Sequence, residues 1–138
     1  RLNDNMGKYV ATQLIKEMIN KHIKIQGSKI LIMGFTFKED CPDIRNTRVI
    51  DIIKELESYD CDIDIFDPWV NHDEAMIEYG IKPLLAPKKN NYDGILIAVA
   101  HREFREMGAE TIKSLGRNSN VIYDLKYILN EEESDLRL

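Results

Sequence analysis

The side chains best suited to chemistry lie in one charged stretch, Phe35–Arg48, which reads FTFKEDCPDIRNTR. It carries three cations, Lys38, Arg45 and Arg48, with acidic residues and a proline between them. Ammonium and guanidinium groups form charge-assisted hydrogen bonds with phosphate oxygens, so the stretch suits a phosphate-bearing ligand. Composition alone favours a plain solvated surface loop equally well, because the intervening acids can pair with the cations.

Further polar side chains follow three later apolar segments, 62–66, 94–99 and 121–123: they are Asp67, then His101 with Arg102, then Asp124 with Lys126. If the segments are parallel strands, these residues and the charged stretch meet at the carboxyl edge of one sheet, where open α/β folds bind ligands. The resulting cationic rim, with helix N-termini opening beside it, predicts an anionic ligand such as a diphosphate. Alternatively, these charges pair only with neighbouring carboxylates.

Short apolar segments alternate with helical patterns along most of the chain. Strands are predicted at 29–33, 62–66, 94–99 and 121–123, with helices over 47–59, over 72–79 and in a stretch that ends near Leu115. Such alternation predicts an α/β fold, a Rossmann-like open parallel sheet with helices on both faces.

A long helix is predicted before the first strand. Asn3 or Asp4 can cap it, apolar residues recur at spacings of three and four from Met6 to Ile23, and Gly27 follows its expected end near residue 25. It is either a peripheral helix that covers the sheet, or a connector or dimer helix whose second apolar flank contacts another body.

Composition bounds the class of protein. The chain has 138 residues, 43% hydrophobic and 31% charged, which indicates one ordinary globular domain, and its net charge of −5 argues against a general nucleic-acid binder. Two cysteines form no disulfide framework and no metal-binding spacing, so a reducing, cytoplasmic setting is expected. No apolar run reaches the roughly 20 residues of a membrane span, so no membrane partner is expected. Without an initiator Met, the chain is expected to be part of a longer protein.

A dinucleotide site in this domain alone is disfavoured. Asp67 stands where a Rossmann unit has its ribose-binding acid, but the loop after the first strand begins at Gly34 and lacks the other glycines of GxGxxG. Phe35 and Phe37 would block the close approach of a pyrophosphate to the backbone. Asp67, followed by Pro68, is better explained as a residue that caps or turns the chain.

Catalytic candidates lack the partners that they need. Cys41 has no histidine nearby in the sequence, and a lone cysteine is more often inert. His101 is a possible general base, but a histidine at a strand end is more often a hydrogen-bonded structural residue. A phosphoacceptor site of the receiver type requires an acid after the third strand, and that strand ends in Ala98-Val99-Ala100.

Several motifs resemble one family closely. The segment GFTFKEDCPDIRNT, residues 34–47, resembles the GFxFKxxxxDxR(N/E)S segment of UDP-sugar 6-dehydrogenases, the NAD-dependent enzymes that oxidise UDP-glucose or UDP-N-acetylhexosamines to uronic acids. DIFDP at 64–68, YDGILIAV at 92–99 and VIYDLK at 121–126 agree in order and spacing. The chain is therefore similar to the carboxy-terminal UDP-sugar-binding domain of these enzymes, with the end of their central helix before it.

The resemblance implies roles for four residues. Phe37 and Lys38 match residues that hold the UDP-sugar, and Arg45 matches an arginine that reaches the NAD bound by the other domain. Lys126 falls where the family has a basic residue that contacts the ligand, although the UDP-glucose branch has arginine there. The DLK form and the Cys-Pro pair after Lys38 look more like the branch that uses N-acetylated sugars.

The resemblance also implies what lies elsewhere. The family's glycine-rich NAD loop and its nucleophilic cysteine, in a Gly-Gly-x-Cys context, precede this chain, and neither cysteine here has that context. In the family, two hydride transfers to NAD pass through a thiohemiacetal on that cysteine, so this chain alone is expected to bind substrate without turnover. Its expected partners are a UDP-sugar, the N-terminal half of the same enzyme and further copies in a homo-oligomer.

The expected organisation has three parts. Residues 1–26 are the end of the connecting or dimerisation helix, residues 27–130 the UDP-sugar-binding domain, and residues 131–138 an acidic, frayed tail. The alternative to a dehydrogenase domain is a non-catalytic assembly module built on the helix at residues 4–25.

Overall fold

Four helices and five strands alternate along the described part of the chain. The computed structural model describes residues 4–138, with Asp4 described by its backbone only. Its elements are α1 Asp4–Asn20, β1 Lys29–Met33, α2 Val49–Ser58, β2 Asp62–Phe66, α3 His72–Tyr79, β3 Tyr92–Ile97, α4 Arg102–Ser114, β4 Gly116–Asp124, a 3₁₀ turn Glu131–Glu133, and β5 Leu136–Arg137. None of the helices within residues 4–138 combines the length and the apolar character that crossing a bilayer needs.

The strands form one parallel sheet in the order β2-β1-β3-β4-β5. This confirms the predicted Rossmann-like α/β fold. Because the order reverses beside β1, the loops after β1 and β3 leave the sheet in opposite directions and a crevice opens between them at the carboxyl edge.

Alternating residues of the central strands supply two separate cores. One face, with Ile30, Ile32 and Leu96, packs under α1 and α2. The other face, with Leu31 and Met33, packs under α4. The parts of these strands that are buried on both faces, 30–33 and 94–97, are apolar, which is why β1 and β3 were recognisable as apolar runs. The observed β3 begins at Tyr92 and ends at Ile97, whereas 94–99 was predicted.

Helix α1 covers the sheet but ends earlier than predicted. Val10, Leu14 and Met18 are fully buried. The helix ends at Asn20 instead of near Ile25, because His22 adopts a left-handed conformation with φ 62°. The amide of Ile23 then donates to the Met18 carbonyl and that of His22 to the Ile19 carbonyl, the pattern of a Schellman cap. The predicted cap at Asn3 or Asp4 lies outside the described side chains.

The last residues are ordered, so the prediction of a frayed acidic tail was wrong. Leu136 and Arg137 pair with Tyr123 and Asp124 as the edge strand β5. The carboxylate of Asp135 accepts the Ile122 amide at 2.8 Å and the Lys21 ammonium at 2.7 Å. These two contacts tie the tail to β4 and to Lys21, the residue after α1, and they compensate for its few apolar residues.

Helix α2 also starts differently from the prediction. Its N-cap is Arg48, which provides no side-chain cap, whereas Asn46 or Thr47 was expected. The Thr47 hydroxyl accepts the Val49 amide at 3.3 Å and donates to the Phe35 carbonyl at 2.7 Å. Thr47 therefore joins the start of the helix to the start of the loop that precedes it.

The turn after β1 requires glycine. Gly34 has φ 101°, and a Cβ placed there would lie 2.6 Å from the Val99 Cβ and 2.8 Å from the Val99 backbone nitrogen. Gly80, the left-handed cap of α3, has φ 67° but has no atom within 4 Å of an added Cβ. A side chain at Gly80 would therefore introduce conformational strain alone, whereas one at Gly34 would introduce both strain and steric overlap.

We expect Gly34→Ala to lower the free energy of unfolding by at least about 3 kcal/mol, because strain and overlap with a backbone atom add together. Gly80→Ala should cost only about 1 kcal/mol, since it introduces strain alone. Urea unfolding of both variants measures the difference. Equal losses would show that Val99 moves aside freely and would contradict the packing described here.

Candidate functional site

A buried carboxylate after β2 organises the loop that follows β1. One oxygen of Asp67, Oδ2, accepts the Phe35 amide at 2.6 Å, the Thr36 amide at 3.0 Å and the His101 Nε2 at 2.9 Å. Its Oδ1 accepts the Trp69 amide at 2.8 Å. Asp67 is 2% exposed. The first residues of the loop are therefore held by hydrogen bonds that water does not weaken.

His101 extends this network to the next part of the loop. Its Nδ1 accepts the Asp40 amide at 3.0 Å, so the ring proton lies on Nε2 and is donated to Asp67. The Thr36 hydroxyl lies 3.1 Å from Nε2 and donates to the Lys38 carbonyl. Because the ring is fully buried and both nitrogens are engaged, His101 is a structural residue and not an accessible general base.

Burial acts to raise the pKa of Asp67, but the hydrogen bonds from His101, Phe35 and Thr36 outweigh it and hold that pKa below its ordinary value. The group therefore remains a carboxylate in the folded protein at neutral pH. A charged acceptor binds amide donors more tightly than a neutral one, which strengthens the hold on the loop.

Asp124, at the end of β4, positions Lys126 in the same way. It is fully buried, its Oδ1 accepts the Lys126 amide at 3.1 Å, and its Oδ2 accepts the Leu129 amide at 2.8 Å. Tyr127 takes φ 55° within this turn. The chain therefore bends sharply after β4, and Lys126 is held at the edge of the sheet.

A cavity of about 550 Å³ lies between these segments, at the carboxyl edge of the sheet. It is lined by residues 36–39 and 46–49 of the loop, residues 98–100 after β3, and Lys126. Phe37, Lys38 and Lys126, all predicted ligand contacts, thus meet at one cavity, and Phe37 is 55% exposed. The described lining contains three cations, Lys38, Arg48 and Lys126, and one carboxylate, that of Glu39.

Arg45, the fourth predicted site residue, does not line this cavity. Its side chain is 85% exposed, and its guanidinium donates to Asp43 through Nε and Nη2, both at 3.0 Å. These hydrogen bonds lower the pKa of Asp43. A two-point pair of this kind fixes the direction of the guanidinium while its outer side faces solvent.

Sequence reasoning assigned no role to several parts of the cavity. Residues 98–100 form one wall. They had been used as the end of a predicted strand, as part of a family motif and to exclude a receiver-type site, but not as part of a binding site. The sequence signal that could have indicated this wall is the run of small side chains directly after a buried strand. Arg48 was noted as a loop cation, but its place at the start of α2 was not foreseen because the helix was expected to begin earlier.

Neither cysteine belongs to the cavity lining. Burial raises the pKa of Cys61, and its Sγ accepts the Ser28 hydroxyl at 3.4 Å. A buried thiol with a raised pKa is a poor nucleophile, so Cys61 is a packing residue.

Comparisons with known proteins identify a family and relatives for this chain. The model of the UDP-glucose/GDP-mannose dehydrogenase family, UDP binding domain, matches residues 31–131. UDP-N-acetyl-D-glucosamine 6-dehydrogenases of Salmonella typhi and Pseudomonas aeruginosa are 58% and 56% identical over all 138 residues, which cover 32% and 33% of those proteins. The chain thus spans about a third of the length of these curated relatives.

Among solved structures, NDP-N-acetyl-D-galactosaminuronic acid dehydrogenase from Methanosarcina mazei Go1 superimposes with a TM-score of 0.80 at 22% identity. The match covers 95% of this chain and 27% of that one. UDP-N-acetyl-mannosamine dehydrogenase Cap5O from Staphylococcus aureus matches 94% of this chain and 28% of its own, with a TM-score of 0.67 at 26% identity.

Replacing the central carboxylate tests the site's framework. We expect Asp67→Asn to lower the free energy of unfolding by about 2–4 kcal/mol at pH 7, because an amide cannot accept all four hydrogen bonds. The folded-state pKa of Asp67 is depressed, so its stabilisation is complete above the unfolded pKa of about 3.9 and is lost as the pH falls through the folded value.

The difference between the two proteins should therefore shrink below about pH 4, which chemical denaturation at a series of pH values measures. Asp73→Asn, the same change at an exposed position in α3, is the matched control and should cost at most about 0.5 kcal/mol. A constant difference down to pH 2 would show that Asp67 acts by packing and not as a charge.

Proposed function

Because the chain belongs to the UDP binding domain of the UDP-glucose/GDP-mannose dehydrogenase family, we propose that its cavity binds the UDP part of a nucleotide sugar. The observation that carries this proposal is the meeting of Lys38 and Lys126 at one cavity on the ligand edge of the sheet. Ammonium groups from two separate segments suit a diphosphate, whose charge is spread over several oxygens.

Each site residue then has a distinct task. Lys38 neutralises phosphate charge from the loop after β1, and Lys126 does so from the turn after β4. Phe37 offers an exposed ring at the cavity, which suits packing against the flat or apolar parts of the ligand. Since Asp67 and Asp124 fix the backbone beside these residues, little ordering is needed when the ligand binds.

The wider activity that we propose is oxidation of a UDP-N-acetylhexosamine to the corresponding uronic acid, a step in polysaccharide precursor synthesis. It is supported by the names of the two bacterial relatives and by the match to them over all 138 residues of this chain. This chain supplies binding and orientation. The hydride acceptor and the nucleophile belong to the remaining two thirds of such an enzyme.

NAD supplies hydride-accepting chemistry when it is bound, and this chain alone does not fit it as a main site. The glycine at the end of β1 is required by its contact with Val99, and Phe35 behind it is fully buried. Arg45, aligned by Asp43 and exposed to solvent, suits a contact with a cofactor held by another part of the enzyme.

The alternative of an assembly module without a ligand is not favoured, because much of the apolar stripe of α1 packs against the chain's own sheet. Tyr9 and Ile19 remain exposed on that helix, and we propose that they contribute to a homo-oligomer. Two free cysteines fit a cytoplasmic protein.

We expect UDP to bind this chain and to shift the amide resonances of residues 36–39, 98–100 and Lys126 in a ¹⁵N NMR titration. Lys38→Ala or Lys126→Ala should each weaken binding about tenfold, and added salt should weaken it further. Lys89→Ala, at an exposed position outside the cavity, is the matched control. Shifts confined to residues away from the cavity would contradict the proposal.

In an enzyme that contains this chain, we expect Arg45→Ala to raise the KM for NAD at least about tenfold while the KM for the UDP-sugar changes less than about twofold. The reason is that Arg45 lies outside the cavity lining and is exposed to solvent, so in the proposed role it contacts NAD and not the UDP-sugar. Steady-state kinetics with each substrate varied in turn measures both constants. A larger effect on the UDP-sugar would place Arg45 with the nucleotide sugar instead.

A further inference from the structure

Asp40 lies at the tip of the loop after β1 and contacts α4 from there. The loop between Phe37 and Asp43 is closed at its base, because the Phe37 amide donates to the Asp43 carbonyl at 2.7 Å. Asp40, midway between them, takes a left-handed conformation with φ 52°. Its Oδ1 accepts the amide of Arg102, the first residue of α4, at 2.8 Å. The tip is therefore attached to a helix that begins 62 residues further along the chain.

This contact takes the place of a helix cap. The first amides of an α-helix have no partner within the helix and are commonly bound by the side chain of the N-cap residue. The N-cap of α4 is His101, which makes no side-chain cap, since both of its ring nitrogens are engaged with Asp40 and Asp67. Asp40 supplies the missing oxygen, and its negative charge is favoured at the positive end of the helix dipole.

Asp40 is held through its backbone as well as through its side chain. Its amide donates to His101 Nδ1 at 3.0 Å, while its carboxylate accepts from Arg102. A left-handed conformation is unfavourable for a residue other than glycine, so these contacts maintain it. The His101 side chain is fully buried and that of Asp40 is 45% exposed. The exposed loop thus joins the buried network at this point.

Lys38 lies between two fixed points of the loop. On one side, the Thr36 amide is bound by Asp67, and the Thr36 hydroxyl donates to the Lys38 carbonyl at 3.1 Å. On the other side, Asp40 is bound to the start of α4. Only Glu39 separates Lys38 from Asp40, so a displacement of Asp40 also displaces Lys38, which lines the cavity. The link to α4 therefore restricts the positions that Lys38 can take.

Resting on the proposed function, we propose that Asp40 is a positioning residue for the diphosphate: by capping α4, it holds Lys38 where the ammonium group meets the phosphates. A loop that takes the binding arrangement only part of the time binds with an affinity reduced in proportion to that fraction. Directing the Asp40 carboxylate to α4 also keeps it from Lys38, where it would compete with phosphate for the ammonium group. Asp40 acts on the ligand through Lys38 and does not contact the ligand.

The test removes the amide that Asp40 binds. Proline has no N–H and is well tolerated at the first position of a helix, and His101, with φ −61° and ψ 145°, already has the extended conformation that precedes proline. Arg102→Ala removes the same side chain but keeps the amide, so it is the matched control. In ¹⁵N NMR titrations of the 138-residue chain, we expect Arg102→Pro to bind UDP about fivefold more weakly than Arg102→Ala.

A second pair of variants changes Asp40 itself. Asp40→Asn keeps an acceptor oxygen and tolerates a left-handed conformation, whereas Asp40→Gly permits the conformation but removes the oxygen. UDP should bind Asp40→Gly about fivefold more weakly than Asp40→Asn. In a Lys38→Ala background, Arg102→Pro and Arg102→Ala should differ by less than about twofold, because the residue through which Asp40 acts is absent.

Three results would overturn the proposal. Equal UDP affinities within either pair of variants, with UDP still bound at the cavity, would separate Asp40 from the positioning of Lys38 and leave the proposed function intact. A difference between the Arg102 variants that persists undiminished in the Lys38→Ala background would show that the cap only stabilises the fold. Absence of UDP binding at the cavity in the unmodified chain would overturn both this inference and the proposed function.

Discussion

The carboxylate of Asp67 is the constraint on which the arrangement of the site depends. It lies after the edge strand β2, yet it fixes the loop after β1 by accepting the amides of Phe35 and Thr36, and it orients His101 after β3. A buried carboxylate that accepts these hydrogen bonds is far more stable than one without partners. The ends of β1, β2 and β3 therefore depend on one another for their positions. The loop is consequently well placed before any ligand arrives.

The second buried carboxylate, Asp124, does the same for the turn that carries Lys126. Both aspartates bind backbone amides, and neither forms an ion pair with Lys38 or Lys126. This division matters electrostatically, because a lysine already paired with an acid would have to exchange partners before it could bind a phosphate. The acids that shape the site are buried beneath it, and the cations are left at its surface, where a chain of net charge −5 can still attract an anion.

The sequence predicted the structure best where a single requirement, burial of a strand on both faces, determines which residue types are allowed. Strands β1 and β3 are buried on both faces, so their apolar runs were sufficient to predict them, and the polar residues after the strands pointed to the carboxyl edge, where the cavity lies. Prediction failed where distant contacts decide the outcome. The tail is held by Lys21, in the turn after α1, and by Ile122 of β4, which both contact Asp135. The end of α1 depends on His22 adopting a conformation usually taken by glycine. The role of Asp67 in the loop was missed for the same reason, since its partners are about thirty residues away in the chain.

The cations near the site lie on two different surfaces. Lys38, Arg48 and Lys126 face one cavity, whereas Arg45 is turned outward by its two hydrogen bonds to Asp43. An exposed arginine normally gains little from a surface ion pair, but a two-point pair within the same loop fixes its direction at small entropic cost. The loop thus serves two surfaces: its inner side contributes to a cavity within this domain, and its outer side presents an aligned cation to whatever lies across the edge of the sheet. Under the proposed function, this second surface is the one that would contact a cofactor held by another part of the enzyme.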